Sequence, residues 1–322
     1  MPIIFLCPHC RRKVKAEDKQ AEQTLKCPNP ACQKPVTIPK TADEWVKDAM
    51  RCIDITREAG IDNVNFHSFA AIAHLMASDR EDLFERFLKV NTSMMFHAAT
   101  GGYLEAMKWL KKKGVRIDEP EREGELKGLM PIHVAASCGH DSVVDWLLKQ
   151  DETLIHAKGK NGRTPMHEAA ATGQVDMMEL LEERGGNVNG EADGGMKPIH
   201  SAAICDQTES LKHLVNKRGV SVNEPDSDGL TSLHGAAASG KIKSIKCLVE
   251  ELNADVNAEN VIGMPPLFLA AKLEQIEGME CLYKLCTERN LELKLGLQTL
   301  KRYAEAANLQ RVIRWLDEKG IQ

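Results

Sequence analysis

The sequence has few aromatic residues, no long apolar run and little net charge. Four Trp, three Tyr and seven Phe occur among 322 residues, so a core must be built from Leu, Ile, Val, Met and Ala. That composition favours packed helices over an aromatic-rich β-sandwich. No stretch approaches the roughly 18 apolar residues of a membrane-spanning helix, and the N-terminal run Ile3–Leu6 is far too short for a signal peptide. We therefore expect a cytoplasmic protein without membrane contact.

The charge is unevenly distributed, although its sum is only −5. Residues 1–40 hold eight Lys or Arg against three acids, a net +5, and the remaining residues hold 34 basic and 44 acidic side chains, a net −10. The small total does not imply a polyanionic partner for the whole chain. The split predicts that the two regions have different roles, or that the basic region rests on the acidic one.

Four of the ten cysteines form two close pairs near the N-terminus, Cys7 with Cys10 and Cys27 with Cys32. Cysteines in a chain without an export signal indicate a reducing compartment, where such pairs point to metal binding. Two thiolates two to four residues apart can wrap one side of a tetrahedral ion, and a second pair can close the other side. The pattern predicts one structural Zn²⁺ held by all four thiolates, with no open position for catalysis. His9 could replace one thiolate, and a redox C-x-x-C is a weaker alternative.

Residues 3–39 resemble a zinc ribbon, in which two metal-binding turns lie on a small β-hairpin domain. Short strands are expected around residues 14–16, 24–26 and 36–38. The sequence departs from the ribbon pattern at Arg11 and Gln33, where a glycine often follows the second cysteine, and in the wider C-x4-C spacing of the second pair. A segment this short would draw much of its folding free energy from the metal.

A motif with a period near 34 residues recurs through the rest of the chain. It reads M-P-I-H-V-A-A at residues 130–136 and T-P-M-H-E-A-A at residues 164–170, and three further copies follow. Successive steps of 34, 33, 34 and 34 residues separate the positions of its histidine column, which are His133, His167, His200, His234 and Phe268. These stretches closely resemble the T-P-L-H-x-A-A signature of the ankyrin repeat.

The resemblance implies a mainly α ankyrin-repeat solenoid, in which each repeat is a helix pair with a β-turn tip. Degenerate units around Phe96 and Arg302 extend the array to about seven units over residues 91–322, with extra residues in the acidic loop around Glu119–Glu125. Atypical end units are expected because a repeat array must cap its open core.

Residues 41–90 lack the repeat motif. A capping-box pattern begins at Thr41, and apolar residues then follow at helical spacing. We expect a helical connector that caps the first repeat, and a separate helical domain is the alternative. The predicted organisation is a zinc-ribbon-like domain over 1–40, a connector over 41–90 and an ankyrin domain over 91–322.

The residue types of the repeat have structural explanations. A proline can open a helix because its missing N–H costs nothing there, and a pair of alanines lets helices pack closely. The histidines of the signature bond the backbone or side chains of a neighbouring repeat, so they are predicted to be framework rather than metal ligands or catalytic bases. The remaining cysteines fall mostly on helical patterns and are predicted to fill the core. They are Cys52, Cys138, Cys205, Cys247, Cys281 and Cys286.

Ankyrin arrays differ mainly at exposed positions of their turn tips and first helices, where partners bind. The residue before each T-P-L-H tetrad is one such position, and here four of five are large and apolar. An exposed apolar row predicts a protein-binding surface, on the concave face of the array. The predicted surface comprises Leu129, Arg163, Met196, Ile204, Leu230, Val261, Ile262, Met264 and Leu273. The alternative is that these side chains pack on neighbouring turns or on residues 1–90.

The motifs together predict a non-catalytic protein–protein interaction scaffold, with the zinc ribbon as a second binding or stabilising module. One alternative is a regulator that contacts DNA or RNA through the basic ribbon, where Arg11, Arg12, Lys13 and Lys15 could reach phosphates. Only Phe5 is available there for base stacking. Another alternative is an effector of an intracellular bacterium, which would act in the cytosol of a host cell. No nucleophile–base pair stands out, so neither an enzyme nor a small-molecule substrate is expected.

Overall fold

The structure, a computed structural model, describes residues 3–6, 13–16, 24–26, 35–37, 93–122 and 126–321. The chain divides into two compact units, Met1–Pro131 and Ile132–Gln322. Most of the described residues are helical.

The first unit contains two short antiparallel strand pairs. Strand β1 (Ile3–Leu6) pairs with β2 (Lys13–Ala16), and β3 (Thr24–Lys26) pairs with β4 (Pro35–Thr37). In the sequence, each cysteine pair falls between the two strands of one pair. The cysteines themselves lie outside the described residues, so the zinc site stays a prediction.

One helix pair follows in this unit, α1 (Met94–Thr100) and α2 (Leu104–Lys112). Phe96, which takes the place of the repeat histidine, is 1% exposed, and Met107 and Leu110 of α2 are fully buried. The predicted connector over 41–90 lies outside the described residues. A loop then closes where the Glu121 N–H donates to the Leu129 carbonyl at 2.8 Å.

Six further helix pairs make up the second unit. Its first helix begins at Pro131, one residue before the boundary between the units. In each pair, a bend of two or three residues joins the first helix to the second. In chain order the pairs are α3 (Pro131–Ser137) with α4 (Asp141–Gln150), α5 (Pro165–Thr172) with α6 (Val175–Glu183), α7 (Pro198–Ile204) with α8 (Thr208–Lys212), α9 (Ser232–Ala238) with α10 (Ile242–Lys246), α11 (Pro266–Lys272) with α12 (Ile276–Glu288), and α13 (Leu297–Ala306) with α14 (Gln310–Glu318). Helices α8 and α10 continue into the π-helical turns His213–Lys217 and Cys247–Glu251.

The sequence motif explains where the first helix of each pair starts and how it packs. A proline opens α3, α5, α7 and α11, where its fixed φ suits the first turn. The two alanines of the motif are fully buried from the second to the sixth repeat. The side chain of alanine is only a methyl group. Each of the first helices α5, α7 and α9 can therefore pack directly against the next first helix along the chain. The second helices add larger apolar side chains, such as Leu147, Met178 and Leu214, to the core.

The burial of the cysteines differs from the prediction. Cys247, Cys281 and Cys286 are buried, but Cys138 and Cys205 are exposed, and Cys52 lies outside the described residues. The expectation that Cys138 and Cys205 fill the core was wrong because each directly follows the last residue of a first helix, in the bend that leads to the second helix.

The last helix pair is attached through aromatic and charged side chains. Trp315 of α14 is 5% exposed and donates from its indole N–H to Glu280 of α12. Its ring meets Tyr283 edge to face at 5.5 Å, and Lys319 also pairs with Glu280. Arg302, placed in the histidine column by the sequence, is exposed and so does not tie repeats together. Of the helices in the described ranges, none has both the length and the apolarity needed to cross a bilayer.

Candidate partner-binding surface

Four tight turns in the second unit share one hydrogen-bond pattern. They precede the first helices α5, α7, α9 and α11. They span residues 159–163, 192–196, 226–230 and 260–264, and we call them turns 1 to 4. In each, the N–H of the first residue donates to the carbonyl of the fifth, at 2.8, 2.8, 2.9 and 3.1 Å respectively. A five-residue loop closed in this way presents its second and third residues at the apex.

The fourth residue of each turn is a glycine with a positive φ, between 70° and 75°. In the first three turns the glycine also meets the next turn closely: a Cβ on Gly229 would lie 2.8 Å from the Val261 backbone nitrogen. Backbone bonds join the turns as well, from Ser227 N–H to the Gly194 carbonyl (2.9 Å) and from Val261 N–H to the Asp228 carbonyl (3.0 Å). The turns therefore stack side by side with their backbones in contact.

The repeat histidines lie on first helices, and they fix each turn to the first helix of the preceding repeat. Nε2 of His167 lies 2.9 Å from the Met196 carbonyl oxygen, and Nε2 of His234 lies 3.0 Å from that of Met264. The Nδ1 atom of His234 accepts from the Thr231 N–H, so Nε2 carries the proton and donates. His133 and His200 make equivalent contacts to backbone carbonyls, which confirms the predicted framework role.

His167, His200 and His234 are held in the neutral form. Burial lowers the pKa of His167 to about 4, and the bond to the Met196 carbonyl only partly opposes that effect. Burial likewise lowers the pKa of His200 and of His234. A neutral imidazole with both nitrogens bonded within the framework has no capacity left for acid–base chemistry.

The nine predicted surface residues differ widely in exposure. Val261 and Ile262 are 69% and 64% exposed at the apex of turn 4, and Leu273 is 49% exposed. Three residues that precede first helices (Met196, Leu230 and Met264) are half-buried, as are Arg163 and Ile204. The prediction of an exposed row is wrong for Leu129, which is only 8% exposed. This residue closes the loop from Glu121 through its carbonyl, and an apolar side chain of its size gains free energy by turning inward there.

Arg163 is directed back along its own repeat rather than outward. Its Nε lies 2.9 Å from Glu168 of α5, and the Glu168 side chain is largely buried. Burial raises the pKa of Glu168, and the Arg163 charge opposes that shift. The pair therefore leaves little of the Arg163 charge for a partner.

The structure does not bring Leu273 and Ile204 together with the turn tips. Both lie at the C-terminal ends of first helices, and the seven-residue α11 separates Leu273 from turn 4 by about 10 Å of helix. Ile204 is partly covered because its side chain packs against Gly235. A Cβ added to this glycine would lie 2.9 Å from Cγ1 of Ile204. Only Val261 and Ile262 form an exposed apolar pair on one turn.

The sequence reasoning missed the carboxylates of the same turns. The two apex residues of each turn lie seven and six residues before a position of the histidine column. They are Lys160 and Asn161 in turn 1, Asp193 and Gly194 in turn 2, Ser227 and Asp228 in turn 3, and Val261 and Ile262 in turn 4. Asp193 and Asp228 thus occupy apex positions equivalent to the apolar pair, and both are exposed. Reading these two columns across the repeats, instead of the single column before the tetrad, would have identified them.

A shallow groove of about 470 Å³ lies beside turn 1 and is lined by residues including His156, Asn187 and Asn189. Within residues 93–122, 126–321 and the four strands, His, Cys, Asp and Glu side chains form no cluster that could hold a metal ion. The four predicted zinc ligands fall outside those ranges.

Comparison with known sequences gives a consistent result. The sequence model of the family described as "Ankyrin repeats (3 copies)" matches residues 70–156, 132–226 and 209–295, which together exceed half of the chain. The match begins at residue 70, ahead of the boundary expected at residue 91.

Relatives share segments of the array. BCL-6 corepressor-like protein 1 of Homo sapiens is 35% identical over 77 residues, which are 24% of this chain and 4% of that protein. B-cell lymphoma 3 protein homolog of Mus musculus is 32% identical over 77 residues, 24% of this chain and 17% of the relative. The transient receptor potential cation channel subfamily A member 1 homolog of Caenorhabditis elegans is 29% identical over 125 residues, 39% of this chain and 10% of the relative. The chain spans less than a fifth of the length of each of these proteins.

Proposed function

Because the chain belongs to the ankyrin-repeat family, we propose that it is a non-catalytic scaffold that binds a protein partner through its turns and first helices. Ankyrin repeats are generally interaction modules, and the chemistry of the partner is set by the side chains at exposed positions. The segments that match this chain are small parts of much longer relatives.

The observation that carries the proposal is the exposure of Val261 and Ile262 on a fixed turn. The Asn260 side chain accepts from the Ile262 N–H (3.1 Å) and from the Met264 N–H (2.9 Å), in addition to the backbone bonds of turn 4. Hydrogen bonds, rather than burial of the two side chains, therefore hold this turn in shape. An apolar pair kept in water by a rigid backbone is typical of a contact surface.

The test is affinity purification with the full chain as bait from a lysate of its source cells, followed by mass spectrometry. We expect a protein that wild type retains and that the double variant Val261→Ser, Ile262→Ser loses. The matched control is Leu291→Ser, since Leu291 is also exposed but follows the C-terminal end of α12 and is not part of a turn apex. The same retained proteins with all three baits would contradict the proposal.

For residues 1–40 we propose that Cys7, Cys10, Cys27 and Cys32 hold one structural zinc ion. Two observations support this: the donor set of four thiols suits Zn²⁺, and each cysteine pair falls between two paired strands. Zinc content measured on the purified protein should be near one ion per chain and should fall in Cys27→Ser. Equal zinc content in Cys27→Ser and wild type would remove the proposal.

Nucleic-acid binding by the basic residues 1–40 and a role as a bacterial effector remain the alternatives. The first rests only on the net charge of +5 in that segment. Binding to generic DNA or RNA that weakens steeply with salt would favour it, and absent or salt-insensitive binding would exclude it.

A further inference from the structure

We propose that the occupant of turns 2 to 4 is an extended peptide segment with two basic side chains and one apolar side chain, spaced about three residues apart. This inference rests on the proposed scaffold function and names the chemistry of its partner. Val261 and Ile262, the exposed apolar pair, lie beside segments that carry charge.

The surroundings are acidic. Residues 189–196, 223–230 and 257–264, which contain turns 2 to 4, carry six carboxylates and no Lys or Arg. Some are already engaged: Lys197, just after turn 2, pairs with Glu224 and approaches Glu191, and Asp226 accepts from the Asp228 and Leu230 N–H groups. Among the described contacts, Asp193, Asp228 and Glu259 have no ion pair. One exposed, uncompensated carboxylate therefore remains in each segment.

Turn 1 marks where the acidic stretch ends. It carries Lys160 at its apex, and the neighbouring Lys158 and Arg163 are also basic. Along the stacked turns the order is therefore basic, acidic, acidic and apolar. A partner that complements turns 2 to 4 needs positive charge opposite Asp193 and Asp228 and an apolar group opposite Val261 and Ile262.

The stacking sets the spacing of that partner. Each turn places two backbone segments side by side, closed by its first-to-fifth hydrogen bond. Hydrogen-bonded backbones lie about 4.8 Å apart, so adjacent turns repeat about every 10 Å. An extended chain in the polyproline II conformation advances about 3.1 Å per residue with three residues per turn, so every third side chain lies on the same face and meets a new turn. The two apolar side chains are β-branched and therefore already restricted in χ1, which limits the entropy lost when a partner covers them.

The direct test uses a synthetic fluorescent peptide of Gly and Ser that carries Lys, Lys and Leu at the first, fourth and seventh positions, together with its reversed sequence. Binding to the full chain is measured by fluorescence anisotropy at low salt. We expect one of the two orientations to bind. Replacing both Lys by Glu, or Leu by Ser, should weaken binding at least tenfold.

Variants of the protein locate the contact. The pair Asp193→Asn, Asp228→Asn keeps side-chain shape but removes charge, and we expect about tenfold weaker binding and a weaker dependence on salt. Val261→Ser, Ile262→Ser should weaken binding by a similar factor. The controls, Glu183→Gln and Leu291→Ser, change an exposed carboxylate and an exposed leucine at or just after the ends of the second helices α6 and α12 instead of at a turn apex, and should leave binding unchanged.

Three results would overturn the inference: no binding in either orientation, equal binding of the Lys and Glu peptides, or self-association of wild type that the Val261→Ser, Ile262→Ser variant abolishes in sedimentation velocity. The last would assign the surface to a second copy of the chain. If the peptide shows no preference while the same variant still loses a captured protein, the partner chemistry fails but the scaffold function stands. If no captured protein depends on the turns, the scaffold function itself fails.

Discussion

At the scale of single residues, the repeat histidines show how burial and hydrogen bonding fix one protonation state. Each donates from Nε2 to a carbonyl of the next turn region, and in three repeats Nδ1 accepts from the N–H just before the helix. A ring that satisfies two backbone groups at once cannot be replaced without leaving one of them unpaired.

Replacing His234 by Ala is expected to destabilise the protein by about 2–4 kcal/mol, because the change removes two hydrogen bonds and leaves a cavity. Urea unfolding measures the loss. The control is His156→Ala, in which the histidine is exposed, and it should stay within about 0.5 kcal/mol of wild type. A similar loss in both variants would contradict the framework role.

Stability should fall as the pH drops below about 6.5. The unfolded chain protonates His167 near its ordinary pKa, whereas the folded chain does so only near a pKa of about 4. The unfolded state therefore binds more protons between these values, so the contribution is complete above pH 6.5 and is lost as the pH falls toward 4. His167 alone should account for a loss on the order of 2 kcal/mol between pH 7.5 and pH 5.

Urea titrations at four pH values between 5 and 7.5 would measure this slope. His167→Gln should be less stable at every pH but should show a shallower slope. An unchanged slope in this variant would mean that the ring does not titrate as described.

The exposed and buried cysteines should differ in reactivity. Burial raises the pKa of Cys247 and of Cys286 to about 11, so both stay protonated and shielded near neutral pH. Alkylation of the native protein, read by peptide mass spectrometry, should modify the exposed Cys205 before the buried Cys247 and Cys286, which react only after unfolding. Rapid native labelling of Cys286 would show that its helix opens.

At the scale of elements, the turns depend on glycine for two separable reasons. Gly229 and Gly263 have nearly the same φ, 75° and 74°, but only Gly229 lies against the next turn. A Cβ on Gly263 would meet nothing within 4 Å. The two positions therefore separate backbone strain from the contact between turns.

Gly263→Ala should cost about 1–2 kcal/mol through strain alone. Gly229→Ala should cost a further 1–3 kcal/mol or so, because its Cβ would collide with backbone atoms that cannot move aside as a side chain could. Thermal or urea unfolding of both variants gives the difference. Equal losses would show that the turns are not packed as tightly as described.

The positions of the first helices were largely predictable from the sequence, but the burial of individual side chains was not. The spacing of the motif located the first helices, because Pro and His recur at fixed positions. It did not indicate that Leu129 is buried or that Cys138 is exposed, since a column in an alignment does not specify which neighbour covers it. The π-helical turns after α8 and α10 were also unexpected, because one extra residue in a helical turn leaves no periodic signal.

At the scale of the whole molecule, repeats interact with their neighbours, so damage should spread only locally. Trp315→Ala removes the buried ring that joins α14 to α12, and hydrogen exchange should accelerate in α13 and α14 while α5 to α9 keep their protection. Glu280→Gln, which keeps an acceptor for the indole, should have a smaller effect. Uniformly faster exchange throughout residues 132–321 would instead indicate one cooperative unit.

The contacts between turns also bear on how this protein could acquire a new partner. The backbone of each turn is already bonded within itself, and turns 2 to 4 are bonded to one another, so an incoming chain meets mainly the apex side chains. Those positions contribute little to the core. Exchanging Asp193, Asp228, Val261 or Ile262 should therefore redirect specificity, in evolution or in engineering, without a penalty in foldability.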